Sequence, residues 1–301
     1  TDTNHRNAKI LSVDPYRVRD SVDKGRVAVV AGAQGMSTDS NVTFLGRGGS
    51  DTTAVALAHG LGADACELYT DVSGVFTTDP RVCPSAKRME SISFDELLEM
   101  TAVGCPKPVM RSVEVARSFG VPLHVRSAFT WEPGTWVVEE VPDMEHAVIK
   151  GIVPDVSQAK LTISGVRDEP GLAARVFRTL ADAGVLVDMI VQNVGDHSKT
   201  DISFTVPLDH FDVAHSTCEE MAKSMGFSSV TGDKSLARVS VVGAGMASNP
   251  GVAATMFETL ASNSINIEMI STSPIRISCV VAEKDVDRAT VALHEAYGLG
   301  N

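Results

Sequence analysis

The sequence predicts an α/β fold in two parts, and two observations carry that prediction. In the first half, short apolar runs alternate with segments of helical periodicity, as in layered strands and helices. In the second half, residues 170–190 recur as residues 250–270 without a gap, with ten identities in twenty-one positions. A chain of 301 residues with 44% hydrophobic content is long enough for two or three compact units.

The first half begins with a continuous apolar run at 27–31, which is typical of a strand buried on both faces. A glycine-rich loop then leads to a helix at about 51–61, and residues 66–70 form a second strand candidate. The later predicted elements are a helix from Phe94 with Ser93 as its N-cap, a strand at 121–125 and a turn at 132–134.

An acidic stretch at 139–145 that contains Pro142 predicts a boundary between residues 1–142 and 143–301. Beyond this boundary each repeat predicts the order strand, helix, strand, strand, helix. The paired segments are strands at 161–164 and 239–242, helices at 170–181 and 250–261, strands at 187–194 and 267–271, strands at 202–206 and 275–281, and helices at 213–225 and 286–297.

The composition argues against several classes of function. A net charge of -12 disfavours nucleic-acid binding, which relies on clustered Lys and Arg. No apolar run approaches the ~20 residues of a membrane helix, so we expect a cytoplasmic protein without a membrane partner. The five cysteines and eight histidines are scattered without ligand spacing, which predicts reduced thiols and no transition-metal site.

Residues 46–53, here called the glycine loop, run Gly46-Arg47-Gly48-Gly49-Ser50-Asp51-Thr52-Thr53 between a strand and a helix. The glycines allow a ligand close to the backbone, and Arg47 can bind a carboxylate with two hydrogen bonds. The spacing fits neither a P-loop nor a dinucleotide fingerprint. A structural turn and an anion site therefore both remain open for this loop.

Residues 70–81, here called the Asp71 loop, follow the strand candidate at 66–70. Open α/β sheets bind ligands at the carboxyl ends of their strands. The loop offers a carboxylate at Asp71, an aromatic ring at Phe76 and a cation at Arg81, which suits a nucleotide. An ordinary turn initiated by Asp79-Pro80 is the alternative.

Both repeats place Pro-Gly at a predicted helix start, at Pro170-Gly171 and Pro250-Gly251. Proline is favoured in the first helical turn, and glycine lets a ligand reach the free N–H groups there. A single copy would indicate no more than a helix start. Two copies at the same place in two repeats favour ligand binding.

Taken together in chain order, these motifs resemble aspartate kinase of the actinobacterial type with tandem ACT modules. The matching segments are 45–51, Thr70-Asp71, Thr78-Asp79-Pro80-Arg81, Ser127 with Pro133-Gly134-Thr135, Gln192-Asn193-Val194, and Ile270-Ser271-Thr272-Ser273 with Ile275-Arg276-Ile277-Ser278. The resemblance implies an α/β fold with part of an amino-acid-kinase domain (an αβα sandwich) at 1–142. Two ferredoxin-like ACT modules would follow, at about 158–234 and 235–301, with a strand at 146–154 completing the second.

The resemblance implies transfer of the ATP γ-phosphate to the β-carboxylate of L-aspartate, with ATP and Mg²⁺ as cofactors. This reaction begins lysine, threonine, methionine and isoleucine biosynthesis. The residues implied for aspartate are Arg47, Gly48, Gly49, Ser50 and Asp51. Those implied for ATP are Thr70, Asp71, Phe76, Asp79, Arg81 and Lys107.

The resemblance also implies feedback inhibition by threonine and/or lysine, in sites formed where ACT modules of two chains pack as a dimer. The effector residues implied are Asp168, Pro170, Gly171, Ala173, Gln192, Asn193, Asn266, Ser271, Thr272 and Ser273.

Three departures from the family accompany the resemblance. The N-terminal Lys-x-Gly-Gly segment and a substrate-binding Glu are absent, so we expect the chain to lack the N-terminal part of the kinase domain. The family's Gly-Ser-Lys is Gly104-Cys105-Pro106-Lys107 here, and Pro274 and Gly195 replace a Glu and a Ser. These departures leave open a non-catalytic amino-acid sensor. Another kinase of the same fold is disfavoured by the tandem repeat.

Overall fold

The computed structural model describes residues 1–139, 148–194 and 199–300. It divides into unit 1 (Thr1–Gly151, Val242–Ala247 and Leu299–Asn301) and unit 2 (Ile152–Val241 and Ser248–Gly298). The boundary predicted between 142 and 143 lies outside the described residues, as does the start of the strand predicted at 146–154.

Unit 1 contains a four-stranded sheet, a small hairpin and four helices within the described residues. In chain order its elements are α1 (Tyr16–Asp23), β1 (Gln34–Met36), β2 (Val42–Phe44), α2 (Gly49–Leu61), β3 (Cys66–Thr70), β4 (Ser91–Ser93), α3 (Phe94–Ala102), α4 (Met110–Phe119), β5 (Leu123–Ser127) and β6 (Thr135–Val138). The hairpin pairs β1 with β2, and the larger sheet has the order β3-β5-β6-β4.

The four-stranded sheet aligns the carboxyl ends of two strands. β3 and β5 are parallel, with Thr70 opposite Ser127, while β6 runs antiparallel to β5. One face is apolar and includes the fully buried Leu123, Val125 and Val137. The parallel pairing of β3 and β5 places Thr70, and the loop that follows it, at the carboxyl ends of the strands, where α/β sheets bind ligands.

The predicted cap of α3 is confirmed. The Ser93 Oγ accepts a hydrogen bond from the Glu96 N–H at 3.3 Å, and the Glu96 carboxylate accepts one from the Ser93 N–H at 3.3 Å. This reciprocal pair is a capping box, which satisfies two N–H groups that the helix leaves free.

The strand predicted at 27–31 is absent from the structure. This segment is irregular, and the Val27 and Val29 side chains are 92% and 95% exposed. A strand buried on both faces needs neighbouring strands for its N–H and C=O groups, and no described strand pairs with this segment. The strand predicted at 121–125 begins two residues later, at Leu123.

Unit 2 contains the two repeats. Its elements are β7 (Gly151–Asp155), β8 (Gln158–Arg167), α5 (Leu172–Asp182), β9 (Ile190–Val194), β10 (Lys199–Pro207), α6 (Phe211–Met225), β11 (Ser229–Asp233), β12 (Leu236–Val242), α7 (Val252–Ser262), β13 (Met269–Ser273), β14 (Arg276–Ala282) and α8 (Val286–Ala296).

Each repeat forms one four-stranded sheet. The first has the order β11-β8-β10-β9, and the second has the order β13-β14-β12-β7. β7 therefore completes the second sheet although it precedes the whole first repeat in sequence. β9 and β13 occupy the edge position of their sheets, so one side of each backbone has no strand partner among the described residues.

The helix starts of the two repeats differ from the prediction in one respect. Gly171 and Gly251 are the N-caps of α5 and α7, with φ values of 90° and 102°. Pro170 and Pro250 therefore lie one residue before the cap instead of in the first helical turn. The reason is that the left-handed conformation of each glycine is not helical, so the helix begins after it.

The two repeats pack together through matched positions. Met189 and Met269, which are 80 residues apart, share an apolar cluster with Leu236 and Val280. Beside it, the buried Arg238 side chain forms ion pairs with Asp155 at 2.9 Å and with Asp188. Arg238 lies on β12, Asp155 ends β7 and Asp188 precedes β9, so this network ties both repeats together.

Candidate functional site

The glycine loop forms the start of α2. Gly48 caps the helix with φ 70°, and Gly49 begins it. A side chain at Gly49 would lie within 3.0 Å of Ala33, and one at Gly32 would lie 3.1 Å from the Ser50 Oγ. The loop therefore needs glycine both for its left-handed turn and for close packing at the start of α2.

Arg47 is the one side chain of this loop that can grip an anion with two parallel hydrogen bonds. It is exposed, and no ion pair connects it to any residue in the described ranges. Ser50 is exposed as well, and Asp51 is half-buried. Burial and the nearby Asp51 carboxylate raise the pKa of Cys66 to about 11, which places Asp51 close to the start of β3.

Arg111 holds the strand that enters the glycine loop, and sequence reasoning missed it. Its guanidinium donates to the carbonyl of Leu45 and, at 2.6 Å, to the carbonyl of Ala8. An arginine on a helix with ordinary amphipathic spacing carries no local signal for this role. The contact became visible only when the fold brought residues about 100 positions apart together.

The Asp71 loop begins where β3 ends. The Thr70 hydroxyl donates to the Asp71 carboxylate at 2.9 Å. This hydrogen bond, the Asp71 backbone N–H and the charges of Lys107 and Arg81 lower the pKa of Asp71. The charges of Lys107 and Arg81 therefore reach the Asp71 carboxylate at the carboxyl end of the strand.

Asp79 and Arg81 form a two-pronged pair at the end of the same loop. Arg81 Nη2 lies 2.6 Å from Asp79 Oδ2, and Arg81 Nε lies 3.0 Å from Asp79 Oδ1. The hydrogen bonds from Arg81 lower the pKa of Asp79. Between these residues and Asp71, the half-buried Phe76 pairs with Arg88 in a short antiparallel bridge, which fixes the loop.

Thr78 is a second residue that sequence reasoning left unassigned. Its side chain is 4% exposed, and its hydroxyl has no hydrogen-bond partner among the described residues. Burying a hydroxyl without a hydrogen bond costs free energy. The Thr78 hydroxyl therefore adds a buried polar group to the Asp71 loop, next to Asp79.

A short segment joins the glycine loop to the Asp71 loop. Val109 packs on Gly48 so closely that a side chain there would lie 2.5 Å from Val109 Cγ2. Lys107, two residues earlier and half-buried, is close enough to influence the Asp71 carboxylate. The segment that carries Lys107 therefore contacts the glycine loop at Gly48.

In the first repeat, two groups of predicted effector residues lie at the same edge of the sheet. Thr200 of β10 is opposite both Val166 of β8 and Val194 of β9. Asp168, Pro170 and Gly171 follow the end of β8 and are exposed, and Ala173 is half-buried. Gln192 and Asn193 belong to the last residues of β9.

In the second repeat, the predicted residues are divided between the two ends of β13. Ser271, Thr272 and Ser273 form the end of the strand, with Ser271 opposite Ser278. Asn266 precedes its start and donates to Glu268 at 3.1 Å. At ~3.3 Å per residue, Asn266 is too far from Ser273 to share one small ligand within a single chain.

Two departures from the family pattern lie near these strands. Pro274 lies in the turn between β13 and β14, while Gly195 lies outside the described residues.

No cluster of three or more His, Cys, Asp or Glu side chains in the described ranges is arranged to hold a metal ion. Among the same residues, none of the helices combines the length and apolar character that crossing a bilayer would require.

Comparison with known proteins agrees with this layout. Residues 1–127 match the amino acid kinase family, and residues 161–221 and 239–297 match the ACT domain. An aspartokinase of Mycolicibacterium smegmatis is 50% identical over 306 aligned residues, which cover 100% of this chain and 72% of the relative.

Solved structures give the same result. The aspartate kinase of Clostridium acetobutylicum aligns with a TM-score of 0.83 and 25% identity, over 95% of this chain and 67% of that one. Escherichia coli aspartokinase III aligns in complex with aspartate and ADP (R-state), with a TM-score of 0.77 and 25% identity over 98% of this chain and 67% of that one.

The same enzyme in complex with lysine and aspartate (T-state) aligns with a TM-score of 0.75 and 25% identity, over 99% of this chain and 67% of that one. The comparisons confirm the α/β fold class, the partial kinase domain followed by ACT modules, and the enzyme class expected from the sequence. The chain belongs to the aspartate kinase family.

Proposed function

We propose that the protein transfers the γ-phosphoryl group of ATP to the β-carboxylate of L-aspartate, with Mg²⁺, under feedback control by threonine and/or lysine. The observation that carries this proposal is the Asp71 carboxylate at the end of β3, which the charges of Lys107 and Arg81 reach, together with a glycine loop whose Arg47 has no ion pair within the described residues. Phosphoryl transfer depends on positioning and charge neutralisation, which such a group supplies without a protein nucleophile.

For the acceptor substrate, we assign Arg47 to a carboxylate of aspartate. The guanidinium is exposed and has no ion pair within the described residues, so it is available for two parallel hydrogen bonds. Gly48 and Gly49 allow the substrate close to the N–H groups that open α2, where the helix dipole favours an anion. Ser50 and Asp51 complete the site as hydrogen-bonding groups, with Asp51 suited to the substrate's ammonium.

For the nucleotide, we assign Thr70, Asp71, Phe76, Asp79, Arg81 and Lys107. Lys107 and Arg81 are the cations of this group and would face the phosphates, while Phe76 offers an apolar surface for the base. Mg²⁺, when bound, would neutralise phosphate charge and would be held by Asp71 together with the phosphates and water, since this ion needs only one or two protein carboxylates. E. coli aspartokinase III, which binds aspartate and ADP, supports this assignment.

For regulation, we assign Asp168, Pro170, Gly171, Ala173, Gln192 and Asn193 to one amino-acid site, and Asn266, Ser271, Thr272 and Ser273 to the paired region. The separation of Asn266, which precedes β13, from Ser273 at the end of that strand supports a site completed by a second chain. The exposed edge strands β9 and β13 suit such a dimer. Lysine bound to E. coli aspartokinase III supports this class of effector.

Because ATP and aspartate are the proposed substrates of this protein, we place it in the cytoplasm.

The assignment of Arg47 can be tested by steady-state kinetics on the protein expressed from its complete reading frame. We expect Arg47→Ala to raise the KM for aspartate and lower kcat/KM by ~100-fold, because a substrate carboxylate loses its charged partner. Arg47→Lys keeps the charge but not the two-pronged geometry, and should recover only part of the loss. Unchanged kcat and KM in Arg47→Ala would refute the assignment.

A further inference from the structure

The first repeat carries a groove, open to solvent, between α5 and the C-terminal end of α6, here called the α5–α6 groove. Its volume is about 480 Å³, which is within the ~300–1,000 Å³ typical of small-molecule sites. The groove lies within unit 2, and none of its residues belongs to the sites proposed for aspartate, ATP or the amino-acid effectors. The residues that line it are Ala174, Arg175, Arg178, Thr179 and Met225.

Two arginines supply the charge of this groove. Arg175 and Arg178 are three residues apart on α5, so their side chains are neighbours on the helix surface. Arg178 is exposed and has no ion pair among the described residues. Arg175 pairs with Glu169 at 2.8 Å through its Nη2 alone, so its other N–H groups remain available to a ligand. Because this pair is exposed, it holds Arg175 only weakly.

The rest of the lining is mainly apolar. The Thr179 hydroxyl donates to the Arg175 carbonyl at 2.9 Å, so its proton is not available to a ligand. Ala174 offers a methyl group, and the half-buried Met225 offers a flexible thioether chain that adapts to apolar ligands. The groove therefore combines two neighbouring cations with an apolar wall.

The second repeat shows that the fold does not require these arginines. The positions equivalent to Arg175 and Arg178, 80 residues later, are Thr255 and Glu258. α7 nevertheless has eleven residues, as α5 does. The Thr259 hydroxyl also donates to the Thr255 carbonyl at 2.7 Å, which repeats the hydrogen bond of the first repeat. Helix formation therefore does not explain the two cations on this face of α5.

The second repeat also differs at the position of Met225. Met225 and Tyr297 each precede a left-handed glycine at the end of the second helix of their repeat, Gly226 with φ 73° and Gly298 with φ 67°. The Tyr297 hydroxyl donates to the Val252 carbonyl at 2.7 Å, so its ring spans from the end of α8 to the start of α7. An aromatic ring thus lies between the paired helices of the second repeat, where the first repeat has the groove.

We propose that the α5–α6 groove binds a small organic anion, a carboxylate or phosphate ester whose apolar part packs on Met225 and Ala174. Guanidinium groups bind both kinds of anion through two parallel hydrogen bonds. An inorganic anion gains the interaction with the arginines alone, and a neutral aromatic molecule gains the apolar contact alone. This site is independent of the proposed kinase reaction, since no residue of the groove is assigned to its substrates or effectors.

Methyl NMR spectra of the full chain, labelled at the methionine and alanine methyl groups, report binding at the groove itself. The test compounds are benzoate and phenyl phosphate, with phenol and inorganic phosphate as compounds that carry only one of the two features. We expect saturable shifts of the Met225 and Ala174 signals with benzoate, phenyl phosphate or both, and the tighter of the two identifies the anionic group. Phenol and inorganic phosphate should bind at least ~10-fold more weakly than that anion.

Three variants separate the contributions to binding. Arg178→Gln removes the unpaired cation and should fold, because both residue types favour helices. It should weaken binding of the tighter anion by at least ~10-fold, since a hydrogen bond to a charged group is lost. Lys284→Gln is the matched control, because it removes an exposed positive charge from the second repeat and should leave the affinity unchanged. Met225→Tyr gives the groove the side chain of the second repeat and should abolish the shift of the Ala174 signal.

Absence of saturable shifts at Met225 and Ala174 with both aromatic anions would overturn the inference. Equal affinity in Arg178→Gln and Lys284→Gln would do the same, because the arginine would then not bind the anion. Inorganic phosphate that binds as tightly as phenyl phosphate would exclude an organic ligand, since it would show charge attraction alone. A Met225→Tyr variant with the Tm of the wild type and an unchanged Ala174 shift would place the binding outside the groove.

Discussion

Replacing Arg238 by alanine tests whether one buried charge network holds the two repeats together. The Arg238 side chain is 2% exposed, and its partner Asp155 is 8% exposed, so both charges are removed from solvent. Removing one member of a buried pair typically costs ~3–5 kcal/mol, because the other charge is left uncompensated. Asp155 would keep hydrogen bonds from the Ser157 N–H at 2.9 Å and from Gln158 at 3.0 Å. We therefore expect a loss at the lower end, about 3 kcal/mol.

The assay is equilibrium urea unfolding followed by two signals. Both tryptophans of the chain, Trp131 and Trp136, lie in unit 1, so their fluorescence follows that unit, while far-UV circular dichroism follows helices of both. Arg288→Ala is the matched control in unit 2, since its pair with Asp285 at 2.6 Å has an arginine that is 52% exposed. Such a pair contributes about 0–1 kcal/mol.

A double variant separates the uncompensated charge from the loss of packing. Arg238→Met with Asp155→Asn removes both buried charges and leaves only the exposed Asp188, and the new amide at 155 can donate to the Gln158 Oε1, which has no partner among the described residues. We expect this variant to regain most of the stability, because replacing both members of a buried pair is often nearly neutral. This account would be refuted if the free energy of unfolding of Arg238→Ala lay within ~1 kcal/mol of that of Arg288→Ala. It would also be refuted by a double variant whose free energy of unfolding is as low as that of Arg238→Ala.

Further predictions concern pH and ligands. Burial raises the pKa of the Cys218 thiol from 9.0 to about 12. The contribution of the buried, uncharged Cys218 thiol to the free energy of unfolding is thus complete below pH 9.0 and is lost as the pH rises toward 12. Urea unfolding at several alkaline pH values should show a shallower decline for Cys218→Ala, and identical slopes would contradict the burial effect. Threonine or lysine at 100-fold excess over Kd should raise the free energy of unfolding by about 2.7 kcal/mol, measured as a higher Tm. No shift with either amino acid would count against the assigned effector sites.

Local sequence signals were sufficient where the structure depends on neighbours in sequence. The N-cap at Ser93 forms as predicted, because it needs only residues three positions apart, and Glu96 completes it as a capping box. The internal repeat likewise predicted two similar sheets, because each copy carries its own alternation of strands and helices. The strand at 27–31 failed because an apolar run cannot show whether neighbouring strands exist to pair with it.

The parts that escaped prediction depend on distant residues. Arg238 lies in an alternating strand pattern, and nothing near it indicates that Asp155, 83 residues earlier, neutralises its charge. The sequence near Arg111 likewise gives no sign of its partner Leu45, which is 66 residues away. The same holds for Ala244 and its partner Glu96, which are 148 residues apart. In the candidate site, residue types could be chosen from the motifs, whereas the closeness of Val109 to Gly48 came only from the fold.

The most direct test of the central claim is trapping of the reaction product with hydroxylamine. An acyl phosphate formed on aspartate reacts with hydroxylamine to give a hydroxamate, which mass spectrometry assigns to one of the two carboxyl groups. With the protein expressed from its complete reading frame, we predict β-hydroxamate formation that matches ADP release and requires L-aspartate, ATP and Mg²⁺. A folded protein that forms no hydroxamate, or forms it on the α-carboxylate, would contradict the proposed reaction.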